Sequence, residues 1–377
     1  MEGCMSAELI RETTTLQIAK GQVIAYFAFD VGYEVSLDQV RELLPSFPAQ
    51  PLSRKKQTPT YLQYTQAPQV LYLGESNVLE DFQGQIQATV FDFGAVSISY
   101  RWQLADEKKP FPLKSLPNFS KHLYYDLDLE QDARRQVEAL VQKIKPAITR
   151  PEISDLVEDY FVFTIEQFDR LVKAQDLLDY CPSTLAKTLQ FDTEELSRKQ
   201  QQDALSNAIS YYERDLVLTD WNAAIVYDSD YTDTLSVLEL LNAELLEARY
   251  MDAQLDKRIK NYERLVQKPS RWHWPLSNPY WQAINELAEL RIESAVLAER
   301  VDNALKLIGD LYLARIHSAV SEQFYMPAWD ASISRKLEII NNLYQMLTDR
   351  VNTAQAQTLE LIIILLIGLE IFLNLLH

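Results

Sequence analysis

The sequence predicts an α+β protein: an N-terminal domain of mixed strands and helices, a long antiparallel helical coiled-coil stalk, and a C-terminal transmembrane helix. Three observations carry this reading. Short apolar runs separated by Pro-rich segments fill the first 230 or so residues. Beyond Asp233 the strand patterns stop, and apolar residues recur at alternating three- and four-residue spacing. From Leu359 to Leu376, Leu, Ile and Phe occupy all but four positions. The implied divisions are a flexible N-terminus (1–15), the α+β domain (16–231), the stalk (232–357) and the anchor (358–377).

In chain order, Val23–Phe29 is a compact apolar run, and Ser36 with Gln39 marks the start of a helix ending near Leu44. Pro45, Pro48, Pro51 and Pro59 punctuate a loop that also carries Arg54, Lys55 and Lys56. Val70–Leu73, Ile86–Phe91 and Ala95–Leu104 read as strands, and Pro110, Pro112 and Pro117 as a second loop. A polar helix is expected over Leu129–Lys145 and a strand over Tyr160–Ile165. Helices are then expected around Asp169–Tyr180 and Thr193–Leu205. Val217–Leu218 and Ala223–Tyr227 are the apolar centres of a strand pair.

Three long helices follow. The first keeps its spacing through Leu238, Leu241, Leu245, Leu255 and Ile259, the second through Leu287, Leu297, Val301 and Leu311, the third through Leu337, Ile340, Leu347, Val351 and Leu361. Two short breaks, KPSRWHWPLSNP and EQFYMPAW, favour antiparallel neighbours within one subunit over a long intermolecular coiled coil.

The last segment spans about 27 Å as a helix, close to a hydrocarbon core of roughly 30 Å. Its Leu, Ile and Phe residues contribute about −0.3 to −0.6 kcal/mol each to insertion, which together outweigh about +3 kcal/mol for Glu370. The alternative is a buried helix in an oligomer core. The residues expected to form the anchor are Leu361, Ile364, Leu365, Gly368, Glu370, Leu373 and Asn374. An ionisable group inside a membrane segment flags function, and Glu370 is read first as a hydrogen-bonding position between subunits of a homo-oligomer, the alternatives being a residue tolerated near the far interface or one that handles protons. Arg335, Lys336 and Arg350 precede the apolar run and no Lys or Arg follows it, so the bulk of the protein is expected on the cytoplasmic side. The N-terminus lacks a basic region followed by an apolar stretch, so no secretory signal is expected. Because alternate helices reverse direction, the loop from Lys268 to Trp281 is expected at the membrane surface. Lys268, Arg271, Trp272, Trp274 and Trp281 there suit the interface chemically.

With 36 Lys and Arg against 54 Asp and Glu, the formal charge is −18. That argues against general nucleic-acid binding, which needs clustered cations for phosphate neutralisation. Two cysteines, Cys4 and Cys181, exclude a disulfide framework or a four-thiolate metal site. There is no Gly-rich phosphate loop and no HExxH, and the four histidines are scattered. Asp228 and Glu239 have the spacing of the first and last ligands of a Ca²⁺ loop, but Asp233 stands where the turn needs Gly. No catalytic residue, cofactor or metal is therefore assigned. The expected role is a non-enzymatic membrane scaffold whose partners are the lipid bilayer and an unidentified protein. The alternatives are an enzyme with an unrecognised site in the α+β domain, or a membrane oligomer that uses Glu370.

The tail LELIIILLIGLEIFL, the preceding WDASISRKLEIINNLYQML, the helix RVDNALKLIGDLYLARI and the strand pair YYERDLVLTDWNAAIVYD resemble the "required for meiotic nuclear division" family. FDFGAVSISYRW at Phe91–Trp102 extends the resemblance into the N-terminal half. It implies a membrane-tethered protein with a soluble α+β domain, and mitochondrial members act as tethers for the translation apparatus. No catalytic residues come with that family. An N-terminus unlike an Arg-rich transit peptide points to a protein of a bacterial-type cytoplasmic membrane.

Overall fold

The computed structural model describes residues 16–44, 67–79, 81–267, 284–288 and 311–375, and the chain divides into two compact units. The first unit takes in the residues up to Glu247 together with Val301–Pro327. It is built on a nine-stranded sheet. The strands are β1 (Gln17–Asp30), β3 (Gln69–Ser76), β4 (Gly84–Val90), β5 (Ala95–Ala105), β6 (Phe111–Pro112), β8 (Val157–Phe168), β9 (Ala208–Ile209), β10 (Leu216–Thr219) and β11 (Ala223–Tyr227). Their order is β3-β4-β5-β1-β8-β11-β10-β9, with β6 paired to β1. All pairings are antiparallel except β11 on β8. A separate two-stranded ribbon joins β2 (Glu34–Val35) to β7 (Ile148–Thr149).

The β1 strand is central because its alternation serves two cores. Val23, Ala25, Phe27 and Phe29 enter the main apolar cluster with Val96, Ile98, Tyr100 and Trp102 of β5 and Phe161, Phe163 and Ile165 of β8. Phe27 meets Tyr100 and Phe161 edge-on, with ring centroids 6.1 and 6.0 Å away, the arrangement that aromatic quadrupoles favour. Ile24, Tyr26, Ala28 and Asp30 face the other side, and they too are buried. A strand buried on both faces needs a covering layer on each.

On the main face, that layer includes the helices α1 (Leu37–Leu43), α2 (Leu116–Tyr125), α3 (Leu129–Ile144), α4 (Ala174–Tyr180) and α5 (Pro182–Leu189). A further short helix, α6, spans Arg198–Ala204. Ser36 caps α1 by accepting from the Gln39 backbone N–H, as its sequence position implies. The expected loop at Pro110–Pro117 is instead β6, a 3₁₀ turn and α2. Pro117 sits in the first turn of α2, where its missing N–H costs nothing. Pro182 starts α5 in the same way.

On the opposite face, α7 (Thr232–Gln267) covers the sheet. Leu235, Val237, Leu238, Leu240, Leu241, Leu245 and Leu246 are all buried, so this half of the helix is enclosed on every side rather than along one stripe. Asn242 donates to the Glu158 carbonyl oxygen at 3.0 Å. The first unit also holds α8 (Leu311–Gln323), whose Gln323 donates to Asp220 at 3.0 Å and accepts from Asn207 at 2.8 Å.

Carboxylates enter this covered face without a cation to match each. Asp30 is 5% exposed, and burial with the like charge of Glu152 pushes its pKa up to about 8. Glu247 of α7 is raised well above the usual carboxylate range, first by burial and then by Asp30. A carboxyl whose folded pKa is raised holds its proton more tightly folded than unfolded. Its contribution is therefore fully present below pH of about 4 and is lost as pH rises toward about 8, by about 1.4 kcal/mol per pH unit at most. Asp30→Asn is expected to remove much of this loss. Thermal unfolding followed by circular dichroism at pH 5 and pH 8 checks it: wild type is less stable at pH 8, and the variant closes most of the gap.

The second unit comprises Ala248–Arg300 and Ala328–His377. The later part of α7, residues 284–288 and α9 (Met326–Leu375) share one buried cluster, formed by Leu255, Ile259 and Tyr262 with Ile284, Leu287, Ile340, Leu343, Leu347 and Val351. The Asp252 carboxylate accepts from Ser332 and Lys336, both at 2.8 Å, and Lys336 also reaches Asp256 at 2.8 Å. If α7 and α9 ran in opposite directions from that point, Val351 would lie about 22 Å away from the side where Tyr262 packs. Their shared cluster shows that they run the same way. The expected third helix begins at Met326 rather than near Leu337, so the second break shrinks to Phe324–Tyr325, with Tyr325 at φ +54°. The expected coiled coil itself is not shown by this packing, and most of the second expected helix lies outside the described residues.

Candidate functional site

The α9 helix changes character along its 50 residues. Up to Val351, which is 3% exposed, one face is packed into the cluster just described. From Leu359 onward every Leu, Ile and Phe of the described helix is between 45% and 80% exposed. No residue of the most apolar 18-residue window is buried, and its mean hydropathy is 2.2. The helix is thus long and apolar enough to cross a bilayer, and it is the one described helix that passes this test. An isolated apolar surface of this extent is far beyond what water-facing helices carry.

The expected anchor residues all lie on this segment, but they do not share one face. Leu361, Ile364, Leu365 and Gly368 fall along one side of the helix, whereas Glu370, Leu373 and Asn374 fall on the other. Nothing lies within 4 Å of a Cβ built on Gly368. Glu370 and Asn374 are exposed and stand one turn apart, so a carboxyl and a carboxamide project together from an otherwise apolar wall. Lys268, Arg271, Trp272, Trp274 and Trp281 lie outside the described residues.

Sequence reasoning missed the second face of the sheet in the first unit. There Thr89, Ser97, Ser99, Arg101, Gln103 and Gln22 stand where β4, β5 and β1 pair. Glu239 of α7, fully enclosed, sits against Thr89, Ser97 and Arg101; burial raises its pKa, and those three partners pull the other way. The Tyr26 hydroxyl is buried beside them with no hydrogen-bond partner among the described residues. The alternation Ser97-x-Ser99-x-Arg101-x-Gln103 was the available signal: a strand polar on one face, inside a run read simply as a strand. Among the described residues, no group of three or more His, Cys, Asp or Glu side chains is placed to hold a metal ion.

Residues 20–234 match the family model described as "Uncharacterized protein MJ0711, N-terminal domain". The chain is also similar to uncharacterized protein MJ0711 of Methanocaldococcus jannaschii, at 26% identity over 215 residues, which cover 56% of this chain and 65% of that protein. The similarity therefore spans less than two thirds of that relative's length. No solved structure matches the chain. Neither match carries the name of the "required for meiotic nuclear division" family. The model's match ends at residue 234, near the start of α7, and so leaves the apolar segment outside it.

Proposed function

The chain belongs to the family of the uncharacterized protein MJ0711 N-terminal domain, and we propose that this domain is held at a membrane by α9 as a non-enzymatic scaffold or tether for a protein complex. The observation that carries the reading is the unbroken exposure of the apolar residues after Leu359, at the end of a helix whose earlier part is well packed. In the bilayer that surface meets hydrocarbon, and all backbone groups of a helix are satisfied internally. The cation bias before the segment supports a cytoplasmic location for the bulk of the protein. The resemblance of the tail and its preceding helices to the "required for meiotic nuclear division" family extends the proposal to a tether for the translation apparatus. The charge of −18 makes the partner a protein surface rather than bare RNA. Retention of the full-length protein in membranes after carbonate washing tests the anchor. Affinity purification, with and without the tail, tests the tether, which fails if neither form recovers a protein partner.

Glu370 and Asn374 favour self-association within the bilayer. A protonated carboxyl and a carboxamide each donate and accept, so two parallel copies satisfy both groups mutually. Glu370→Leu is expected to reduce crosslinked oligomers in detergent several-fold while leaving membrane insertion intact. Equal crosslinking yields for the two proteins would assign Glu370 no role between subunits.

A further inference from the structure

A cavity of about 770 Å³ opens on the polar face of the first unit's sheet, where the end of β3, the start of β4 and the far half of β5 meet β1. Its size falls within the range of small-molecule sites. The lining is polar: Arg101, Gln103 and Gln22 form part of the wall, with Gln85 directly across the strand pair from Arg101. Gln103 has spent its amide N–H groups on the Gly21 and Ala105 carbonyl oxygens, at 3.2 and 2.6 Å, which leaves its oxygen as an acceptor.

Arg101 is the unsolved element of this wall. It is half-buried, and its Nε is shut away from solvent with no hydrogen-bond partner among the described residues. Glu239, fully enclosed on the same face, acts on it through charge. A guanidinium carries five N–H donors in a planar fork shaped for an oxyanion, and leaving the buried Nε–H unused is costly. Glu75, Gln85 and Arg101 stand in one row across β3, β4 and β5 and so share this face. Glu75 and Asp81, also in the lining, are suited to accept from hydroxyl groups and would repel a ligand with several negative charges.

We infer that this cavity binds a small polyhydroxylated molecule carrying one oxyanion, a phosphate monoester or a carboxylate, with the oxyanion on Arg101 and hydroxyls on Glu75 and Asp81. The site is independent of the membrane segment. It gives the sheet domain a ligand, and so a means by which a tether could be informed of a metabolite.

The test uses the full-length protein in detergent micelles and isothermal titration calorimetry. The probes are inorganic phosphate, glycerol 1-phosphate and gluconate, with sodium chloride at equal ionic strength as the control. Saturable binding of at least one probe is expected, tightest for glycerol 1-phosphate or gluconate, and weakened at least tenfold by Arg101→Gln. Gln85→Glu is the second variant. It places a carboxylate across from Arg101, keeps the cation in place for folding, and is expected to abolish binding by occupying the guanidinium. Lys20→Gln, which removes a cation outside the cavity lining, is expected to leave binding unchanged. No saturable heat with any probe, equal affinities in wild type and Gln85→Glu, or equal losses in Lys20→Gln and Arg101→Gln would each overturn the assignment.

Discussion

A chain ending at Val351 is expected to move wholly into the soluble fraction, while the full-length protein stays in the membrane pellet after carbonate washing. The cut retains every residue of the buried cluster in the second unit, including Leu347 and Val351, so the bundle keeps its core. What leaves is the segment whose Leu, Ile and Phe residues are 45–80% exposed. At about 25 cal/mol per Å² of apolar area, a helix of this kind loses tens of kcal/mol of favourable burial when moved from lipid to water. No partial effect is expected. Full-length protein released by carbonate would show peripheral attachment only, and a truncated protein still pelleting with membranes would place the attachment elsewhere in the chain.

The second large effect is expected at Gly94, in the turn between β4 and β5. Its φ of +103° lies in the region that L-residues avoid, and a Cβ there would stand 1.9 Å from the Gly32 carbonyl oxygen. The neighbouring backbone has no room to yield, because Val31 donates to the Gly94 carbonyl at 2.9 Å and Phe91 donates to Ala95 at 2.9 Å. Gly94→Ala therefore combines strain with a clash between two strand ends, and is expected to cost about 3 kcal/mol or more, lowering Tm by roughly 10 °C. Gly74 is the matched comparison. Its φ is +145°, but nothing lies within 4 Å of its Cβ, so Gly74→Ala is expected to cost only the backbone part. Thermal unfolding of both variants decides the point; equal losses would show that the φ value alone matters and the Gly32 contact does not.

The strands were legible where their apolar runs were continuous. Val23–Phe29 and Ala223–Tyr227 lie on strands buried on both faces, with no polar positions to blur the run, whereas Ile86–Phe91 and Ala95–Leu104 overlap strands whose apolar residues alternate with polar ones. The ribbon of β2 and β7 was not legible, since two residues carry no periodicity. Pro117 was read as part of a loop, although a first-turn proline is also a helix-start signal. The three-four stripe of α7 was visible through Leu238, Leu241 and Leu245. The additional Val237, Leu240 and Leu246 spoke for enclosure on all sides, and a search for a stripe passes over them. The apolar tail was the plainest feature, because composition alone marks it. The Arg101 wall was hidden for the opposite reason: its residues come from strands distant in sequence, and only pairing brings them together.

The continuity of α9 has a mechanical consequence. Between Val351, the last residue held in the packed cluster, and Leu359, the first of the exposed apolar run, the helix passes through Asn352–Thr358 without a Gly or Pro. That interval is about 12 Å long and a little over two turns. With the apolar run in lipid, the three packed helical segments stand at a set height above the headgroups and at a set rotation about the helix axis. A tilt or twist imposed on those segments reaches the lipid-facing side chains undamped, as a shaft carries torque. Equally, whatever turns Glu370 within the bilayer turns the face on which Asp252 and Lys336 sit.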